Sequence, residues 1–136
     1  MHLTPTELDR LTIFTAAELA RRRRAKGWKL THPEALAIIC DEMHEAARSG
    51  ASYEDVVRVG QSVLTADDVL DGVPELVATV KIECLFGDGM RILHVEGPIG
   101  PGRGEPASKG GRNEARWDPV RRGADRPQRG PADRRG

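Results

Sequence analysis

Cys40 and His44 are the residues whose types and spacing come nearest to a reactive or metal-binding site. Residues four apart on a helix lie on the same face, so the thiol and the imidazole would be neighbours. Together with His32, Cys84 or His94 they could form a zinc site. The sequence has no Cys-x-x-Cys or His-x-x-x-His pair, which is the spacing that usually marks such a site. We therefore interpret Cys40 as a small core residue with His44 at its edge, and we predict no metal-binding residue in this chain.

Two acidic pairs, Asp41-Glu42 and Asp67-Asp68, have the residue type that general acid–base catalysis uses. We expect both pairs at exposed or first-turn helical positions, where carboxylates are common and serve capping and solubility. The sequence also shows no nucleophile–base pair and no phosphate-binding loop. We therefore predict that the chain contains no catalytic and no cofactor-binding residue.

The run Arg21 to Arg24, placed between two predicted helices, leaves a second function open: a small helical DNA-binding or regulatory protein. Four consecutive residues point to all sides of a helix, however, and cannot form one basic stripe. Residues 1–100 also carry 11 Lys/Arg against 16 Asp/Glu, a net charge of 11 − 16 = −5 that opposes phosphate binding. Cations at a helix C-terminus are favoured by the macrodipole, so we interpret these arginines as a helix end and predict no nucleic-acid partner.

The composition divides the chain into a domain, residues 1–100, and a tail, residues 101–136. The tail has 10 Lys/Arg and 5 Asp/Glu, a net charge of 10 − 5 = +5, with seven Gly and five Pro. Such a segment lacks the apolar side chains that offset ordering entropy, so we predict that it is disordered. No apolar run approaches the roughly 20 residues that span a bilayer, and no secretory signal precedes the domain. We expect a cytoplasmic protein with no membrane contact.

The domain reads as a compact bundle of about four short helices, each with its own start signal. Thr4-Pro5-Thr6-Glu7 and Thr31-His32-Pro33-Glu34 are capping sequences, and Gly27 and Gly50 end the helices that they start. We expect a third helix after Ser52, and a brief fourth after Thr65 that ends at Gly72 and Pro74. In the first helix an apolar stripe is expected from these residues at helical spacing: Leu8, Leu11, Phe14, Ala17 and Leu19, with Ile13 beside them.

After Pro74 the apolar pattern changes from helical to alternating. Val80, Ile82, Cys84 and Phe86 point one way, Gly87-Asp88-Gly89 supplies turn residues, and the stretch 90–95 returns. The pattern predicts a β-hairpin and hence an α+β fold, a helix bundle followed by a C-terminal hairpin. An isolated hairpin is marginally stable, and the domain has few aromatic residues for its core. A partner surface would supply the missing burial.

The domain closely resembles the urease gamma subunit family, in a match that covers essentially all of residues 1–100 without a gap. The resemblance rests on an ordered set of short segments: Leu3-Thr4-Pro5 with Glu7; Arg21 to Arg24, Gly27 and Leu30; Pro33-Glu34-Ala35; Glu45-Ala46-Ala47-Arg48 and Gly50; Leu64-Thr65; Gly72-Val73-Pro74-Glu75; Glu83, Phe86 and Asp88-Gly89; and Pro98-Ile99. Each segment is weak alone, and the order and spacing make the set specific.

The resemblance implies a non-catalytic subunit of urease, the urea amidohydrolase of nitrogen metabolism that hydrolyses urea to ammonia and carbamate. It implies that the nickel ions, their bridging carbamylated lysine and the catalytic histidine belong to the large alpha subunit, and that this chain alone is inactive. The implied partners are the urease alpha and beta subunits, typically in a trimer of alpha-beta-gamma units.

A few positions depart from the usual pattern of that family. The hairpin turn reads Gly87-Asp88-Gly89-Met90 where Pro-Asp-Gly-Thr is typical, Thr31 replaces an asparagine, and Glu96 replaces a histidine. The segment 101–136 has no counterpart in the short gamma subunit and lacks the β-rich pattern of a fused beta subunit. These differences cluster in the hairpin and beyond, and they fit either a divergent second copy or a subunit whose hairpin contacts have drifted.

Overall fold

The computed structural model describes residues 1–102, so the predicted disordered segment 101–136 lies outside the described part except for its first two residues. The described residues form helices first and a hairpin afterwards, which confirms the predicted α+β fold. The elements, in chain order, are α1 (Pro5–Ala25), α2 (His32–Arg48), α3 (Tyr53–Ser62), β1 (Leu64–Thr65), a 3-10 helix (Ala66–Asp68), α4 (Val73–Leu76), β2 (Thr79–Phe86), β3 (Gly89–Glu96) and β4 (Ile99–Gly100).

The starts of the first two helices follow the capping signals in the sequence. The Thr4 hydroxyl accepts a hydrogen bond from the Glu7 N–H at 3.2 Å, and the Thr4 N–H donates to the Glu7 carboxylate at 2.7 Å. The Thr31 N–H likewise donates to the Glu34 carboxylate at 3.1 Å. Each pair occupies backbone groups that the first helical turn leaves without intrahelical partners. The predicted starts of α1 and α2 are confirmed.

The region after Thr65 differs from the predicted fourth helix. Thr65 caps only the three-residue 3-10 helix, and the short α4 begins later, directly after Gly72. Gly72 adopts a left-handed φ of 85°, and Pro74 lies in the first turn of α4. Proline is tolerated in a first helical turn because the N–H that it lacks is not needed there. Gly72 and Pro74 therefore start a helix, and the prediction that they end one is wrong.

The hairpin of β2 and β3 is antiparallel, in a register that runs from Thr79 opposite Glu96 to Phe86 opposite Gly89. Along β2 the buried residues are Val80, Ile82, Cys84 and Phe86, which confirms the predicted alternation. β2 packs against α2 and β3 against α3. One face of the hairpin is therefore covered by helices, and its other face is open.

The core is built around α2, whose buried residues include Ile38, Ile39 and Met43. Two short backbone pairings close the domain around it. β1 pairs in parallel with β4, with Leu64 opposite Ile99, and Leu30 exchanges backbone hydrogen bonds with Asp68 and Leu70. The first pairing joins the C-terminal end of the domain to its middle, and the second joins the loop between α1 and α2 to the segment before α4, so each links segments more than 30 residues apart in sequence.

Candidate interaction surface

α1 carries its largest apolar side chains away from the core. Leu8, Leu11 and Leu19 are each about half exposed (51%, 49% and 49%), and with the exposed Thr15 between them they form one row along the helix, which we call the outward stripe. These residues follow each other at intervals of three and four, which keeps them on one helix face. Phe14 flanks the row and is also about half exposed.

The opposite face of α1 is made of smaller side chains. Ala17 and Ala20 are fully buried, and Ile13 packs against the core. Small residues on this face let α1 approach α2 closely, so that larger side chains are not needed there. The single apolar stripe predicted for α1 is therefore wrong: Ile13 and Ala17 face the core, whereas Leu8, Leu11, Phe14 and Leu19 face outward.

The open face of the hairpin is apolar near its turn. Leu85 lies directly opposite Met90 across the strands, Ile92 is the next residue on the same face of β3, and all three side chains are exposed. Further from the turn the same face becomes polar, with Lys81 opposite His94 and Thr79 opposite Glu96. Exposed apolar clusters of this kind mark protein–protein contacts more often than free surface.

A buried carboxylate fixes α1 to α2. Asp41 on α2 is 2% exposed and accepts hydrogen bonds from Arg10 at 2.7 Å and Arg21 at 2.6 Å, both on α1. Burial acts to raise the pKa of Asp41, but the two guanidinium groups outweigh it and hold that pKa below its usual value. Glu45 also pairs with Arg10, and Glu42 with Arg21. The expectation that Asp41 lies in an exposed position is wrong, because two arginines one above the other on α1 compensate its burial.

The arginine run is largely neutralised within the chain. Arg21 pairs with Asp41, Glu42 and Glu18, Arg23 pairs with Glu34, and Arg24 pairs with Asp68. Within residues 1–102, no ion pair or hydrogen bond involves the side chain of the exposed Arg22. Guanidinium groups occupied by carboxylates are poor phosphate ligands, so nothing in this part of the chain favours the DNA-binding alternative.

The cysteine and histidine side chains do not suit a metal site. Cys40 and Cys84 are both buried, and burial is the main reason that the pKa of each thiol is raised to about 11. Metals bind the thiolate, and a raised pKa disfavours its formation. Burial and then the charge of Arg10 lower the pKa of His44. His32 lies at the start of α2, eight residues before Cys40, and His94 lies on the open face of β3. Among the residues that the structure describes, no three potential ligands cluster as a metal site would require.

The second acidic pair has a local structural role. The Asp68 carboxylate accepts a hydrogen bond from the Thr65 N–H at 2.9 Å and also pairs with Arg24. The backbone carbonyl of Asp67 accepts one from the Lys29 ammonium at 3.0 Å. These contacts fix the 3-10 helix against the end of α1, as capping carboxylates do.

Sequence reasoning missed two features of this surface, and a signal for each was present. The split of α1 into two faces could have been found from Ala17 and Ala20, which are three apart and fall opposite Leu8, Leu11 and Leu19 on a helix. The burial of Asp41 was signalled by Arg10 and Arg21, which are separated by 11 residues, or about three turns.

No helix within residues 1–102 has the length and apolarity needed to cross a membrane.

Comparison with known proteins identifies relatives along this whole domain. The family model described as "Urease, gamma subunit" matches residues 1–99. The chain is 50% identical over 99 residues to a "Urease subunit gamma" of Corynebacterium kroppenstedtii, in a match covering 73% of this chain and 98% of the relative. It is 48% identical over 99 residues to that of Laribacter hongkongensis, covering 73% and 99%. A "Urease subunit gamma/beta" of Pseudomonas syringae pv. syringae is 48% identical over 103 residues, which are 76% of this chain but 45% of that protein.

Proposed function

The chain belongs to the urease gamma subunit family and is thus a urease subunit, and we propose that its contribution to that enzyme is architectural and not catalytic. In this proposal the complete enzyme hydrolyses urea to ammonia and carbamate. The gamma chain binds the alpha and beta subunits, and its bound surfaces hold the alpha subunit in its active arrangement.

The outward-facing apolar surface is the observation that carries this proposal. A domain of this size buries a limited core, yet it leaves Leu8, Leu11 and Leu19 on α1 and Leu85 and Ile92 on the hairpin about half exposed. Full burial of an exposed apolar side chain stabilises by about 1.5–3 kcal/mol, so a partner that covers the exposed half of each of these would add about 1 kcal/mol per side chain. Obligate interfaces are large and apolar, and they resemble a domain core that has been divided in two.

Nickel is assigned in this proposal to the alpha subunit. The thiols of Cys40 and Cys84 are buried and protonated, and residues 1–102 hold no cluster of three or more potential metal ligands, so this part of the chain offers no set of ligands that fits a nickel centre. In this proposal the gamma chain contributes no side chain to the catalytic step. We further propose that the assembly is a trimer of alpha-beta-gamma units and that it works in the cytoplasm.

Copurification is the direct test of the proposed function. The full-length chain is co-expressed with the urease alpha and beta subunits of the same source, and each subunit is purified in turn through its own affinity tag. We expect all three chains in one complex of constant stoichiometry, with urea hydrolysis and nickel present only when alpha is included. A chain that remains monomeric beside alpha and beta, or that releases ammonia from urea when alone, overturns the proposal.

A further inference from the structure

Arg22 extends the outward stripe of α1 toward the end of the helix. Leu8, Thr15 and Arg22 are spaced seven residues apart, which is close to two helical turns, so Arg22 falls on the same row. From Leu8 to Arg22 the row is about 21 Å long, at about 1.5 Å per residue. The surface therefore consists of leucines around a central threonine, with one cation at the C-terminal end.

The charge of Arg22 distinguishes it from its neighbours. Arg21, Arg23 and Arg24 are each paired with a carboxylate of this chain, whereas Arg22 has no such pair among residues 1–102. An exposed arginine beside an apolar row gains most from a partner that offers a carboxylate, because a charge-assisted pair forms as the surrounding surface loses water.

A second copy of the chain does not provide that carboxylate. In an antiparallel pairing centred on Thr15, Arg22 would meet Leu8 of the other copy, near the positive end of its helix macrodipole. The two carboxylates that flank Leu8, those of Glu7 and Asp9, each lie about 100° around the helix from it and so off the row, and that of Glu7 is already hydrogen-bonded to the Thr4 N–H. In a parallel pairing, Arg22 would face Arg22. Neither pairing places a carboxylate on the row opposite the guanidinium.

The chain's own tail is no better an occupant. Residues 101–136 carry 10 Lys/Arg against 5 Asp/Glu, so their net charge has the same sign as Arg22. Association of like charges is disfavoured, particularly beside a surface that becomes dehydrated. The occupant that these charges fit is a different protein chain.

We propose that the outward stripe, extended by Arg22, is where a larger urease subunit binds, and that this subunit offers an aliphatic groove with an Asp or Glu at the end that meets Arg22. This inference rests on the proposed function and specifies its contact surface. The leucines supply the apolar contact, and the ion pair at Arg22 fixes the direction in which α1 lies in the groove. In such a helix-in-groove contact, the side chains that enter the groove are spaced three, four and seven residues apart.

The test measures the affinity of the full-length chain for the isolated alpha–beta pair at fixed salt concentration. Leu11→Gln should weaken binding by about tenfold or more, because a buried apolar contact is lost. Arg22→Gln should weaken it by about three- to tenfold and reduce its salt dependence. Leu11→Met keeps an apolar side chain and should stay within about twofold of wild type. Arg48→Gln removes an exposed arginine from the last turn of α2, and its affinity should also stay within about twofold of wild type.

A second measurement does not depend on the variants keeping their affinity. A maleimide reagent should label Thr15→Cys rapidly in the free chain and at least tenfold more slowly in the complex, whereas Arg48→Cys should be labelled rapidly in both. The native cysteines do not interfere, because both are buried. Circular dichroism of each free variant confirms that the helices are retained.

The outcomes separate the two proposals. If wild type binds the alpha–beta pair but Leu11→Gln and Arg22→Gln stay within about twofold of it, or Thr15→Cys is labelled equally in the complex, this inference is wrong and the proposed function stands. If the wild-type chain does not bind the alpha–beta pair at all, both this inference and the proposed function are wrong. Weakened binding with protection of Thr15→Cys supports both.

Discussion

Arg21 on α1 and Asp41 on α2 form an ion pair at 2.6 Å across the interface of the two longest helices, and the carboxylate in it is almost fully buried. Arg10 binds the other oxygen of the same carboxylate at 2.7 Å. One side chain of α2 therefore joins two points of α1 that lie about three turns apart. Because the outward stripe is on the same helix, this contact also fixes the orientation of the surface that we assign to a partner.

Replacing Asp41 with Asn should lower the free energy of unfolding by about 2 kcal/mol. The variant removes the charge that compensates Arg10 and Arg21, and breaking a buried pair leaves its partners desolvated. Both arginines keep partial access to solvent (26% and 29%), which places the cost below that of a fully buried pair. Guanidinium denaturation of the full-length chain measures the change. Glu42→Gln, which also loses a pair with Arg21 but at a more exposed position, should cost less than about 1 kcal/mol. Equal effects of the two variants would contradict this role of Asp41.

The stabilisation from Asp41 should disappear in acid. Its pKa in the folded chain is lower than the ordinary value of 3.8, so its contribution is complete above that value and is lost as the pH falls through the folded-state pKa. We expect the difference in unfolding free energy between wild type and Asp41→Asn to be constant from about pH 7 to pH 5.5 and to shrink below about pH 4. Denaturation curves at each pH provide the measurement. A difference that grows on acidification would show that folding raises the pKa of Asp41 instead of lowering it.

Gly60→Ala should destabilise the domain although alanine favours helices. An added Cβ at Gly60 would lie 2.7 Å from the Met43 sulfur and 3.3 Å from a methyl carbon of Val95, and Met43 is fully buried. Overpacking a core costs about 1–3 kcal/mol, against a gain in helix propensity of up to about 1 kcal/mol. Thermal unfolding of the full-length chain should show the loss. Gly87→Ala is the matched control, because an added Cβ there meets no atom within 4 Å. A melting temperature for Gly60→Ala at or above that of wild type would mean that Met43 moves aside freely.

Cys40 and Cys84 should be unreactive toward alkylating reagents in the folded chain. Burial raises the pKa of both thiols to about 11, so at pH 8 only about one molecule in a thousand carries the reactive thiolate, and that thiolate is shielded from solvent. We expect mass spectrometry to show slow labelling by iodoacetamide under native conditions and rapid double labelling in denaturant. Rapid labelling of either cysteine in the native chain would contradict this burial.

The positions of the helices and of the hairpin could be predicted because their signals are local. The reciprocal hydrogen bonds of Thr4 with Glu7 need only four consecutive residues, and the alternation from Val80 to Phe86 needs one strand. The error after Thr65 has the same local origin. Pro74 suits both the residue after a helix and its first turn, and the extended Val69, which pairs with Leu30 and ends the 3-10 helix before Gly72, decided between them.

The sequence by itself determined where α1, α2 and the hairpin lie, because capping residues and strand alternation act over a few neighbouring positions. Only the tertiary structure decided which face of α1 meets the core and which carboxylate is buried. Leu8, Leu11 and Leu19 are apolar wherever they point, whereas the small Ala17 and Ala20 are the residues of α1 that are fully buried against the rest of the domain. Asp41 is buried because Arg10 and Arg21 come from another helix to meet it. Burial depends on neighbours that are distant in sequence, and these are known only once the chain has folded.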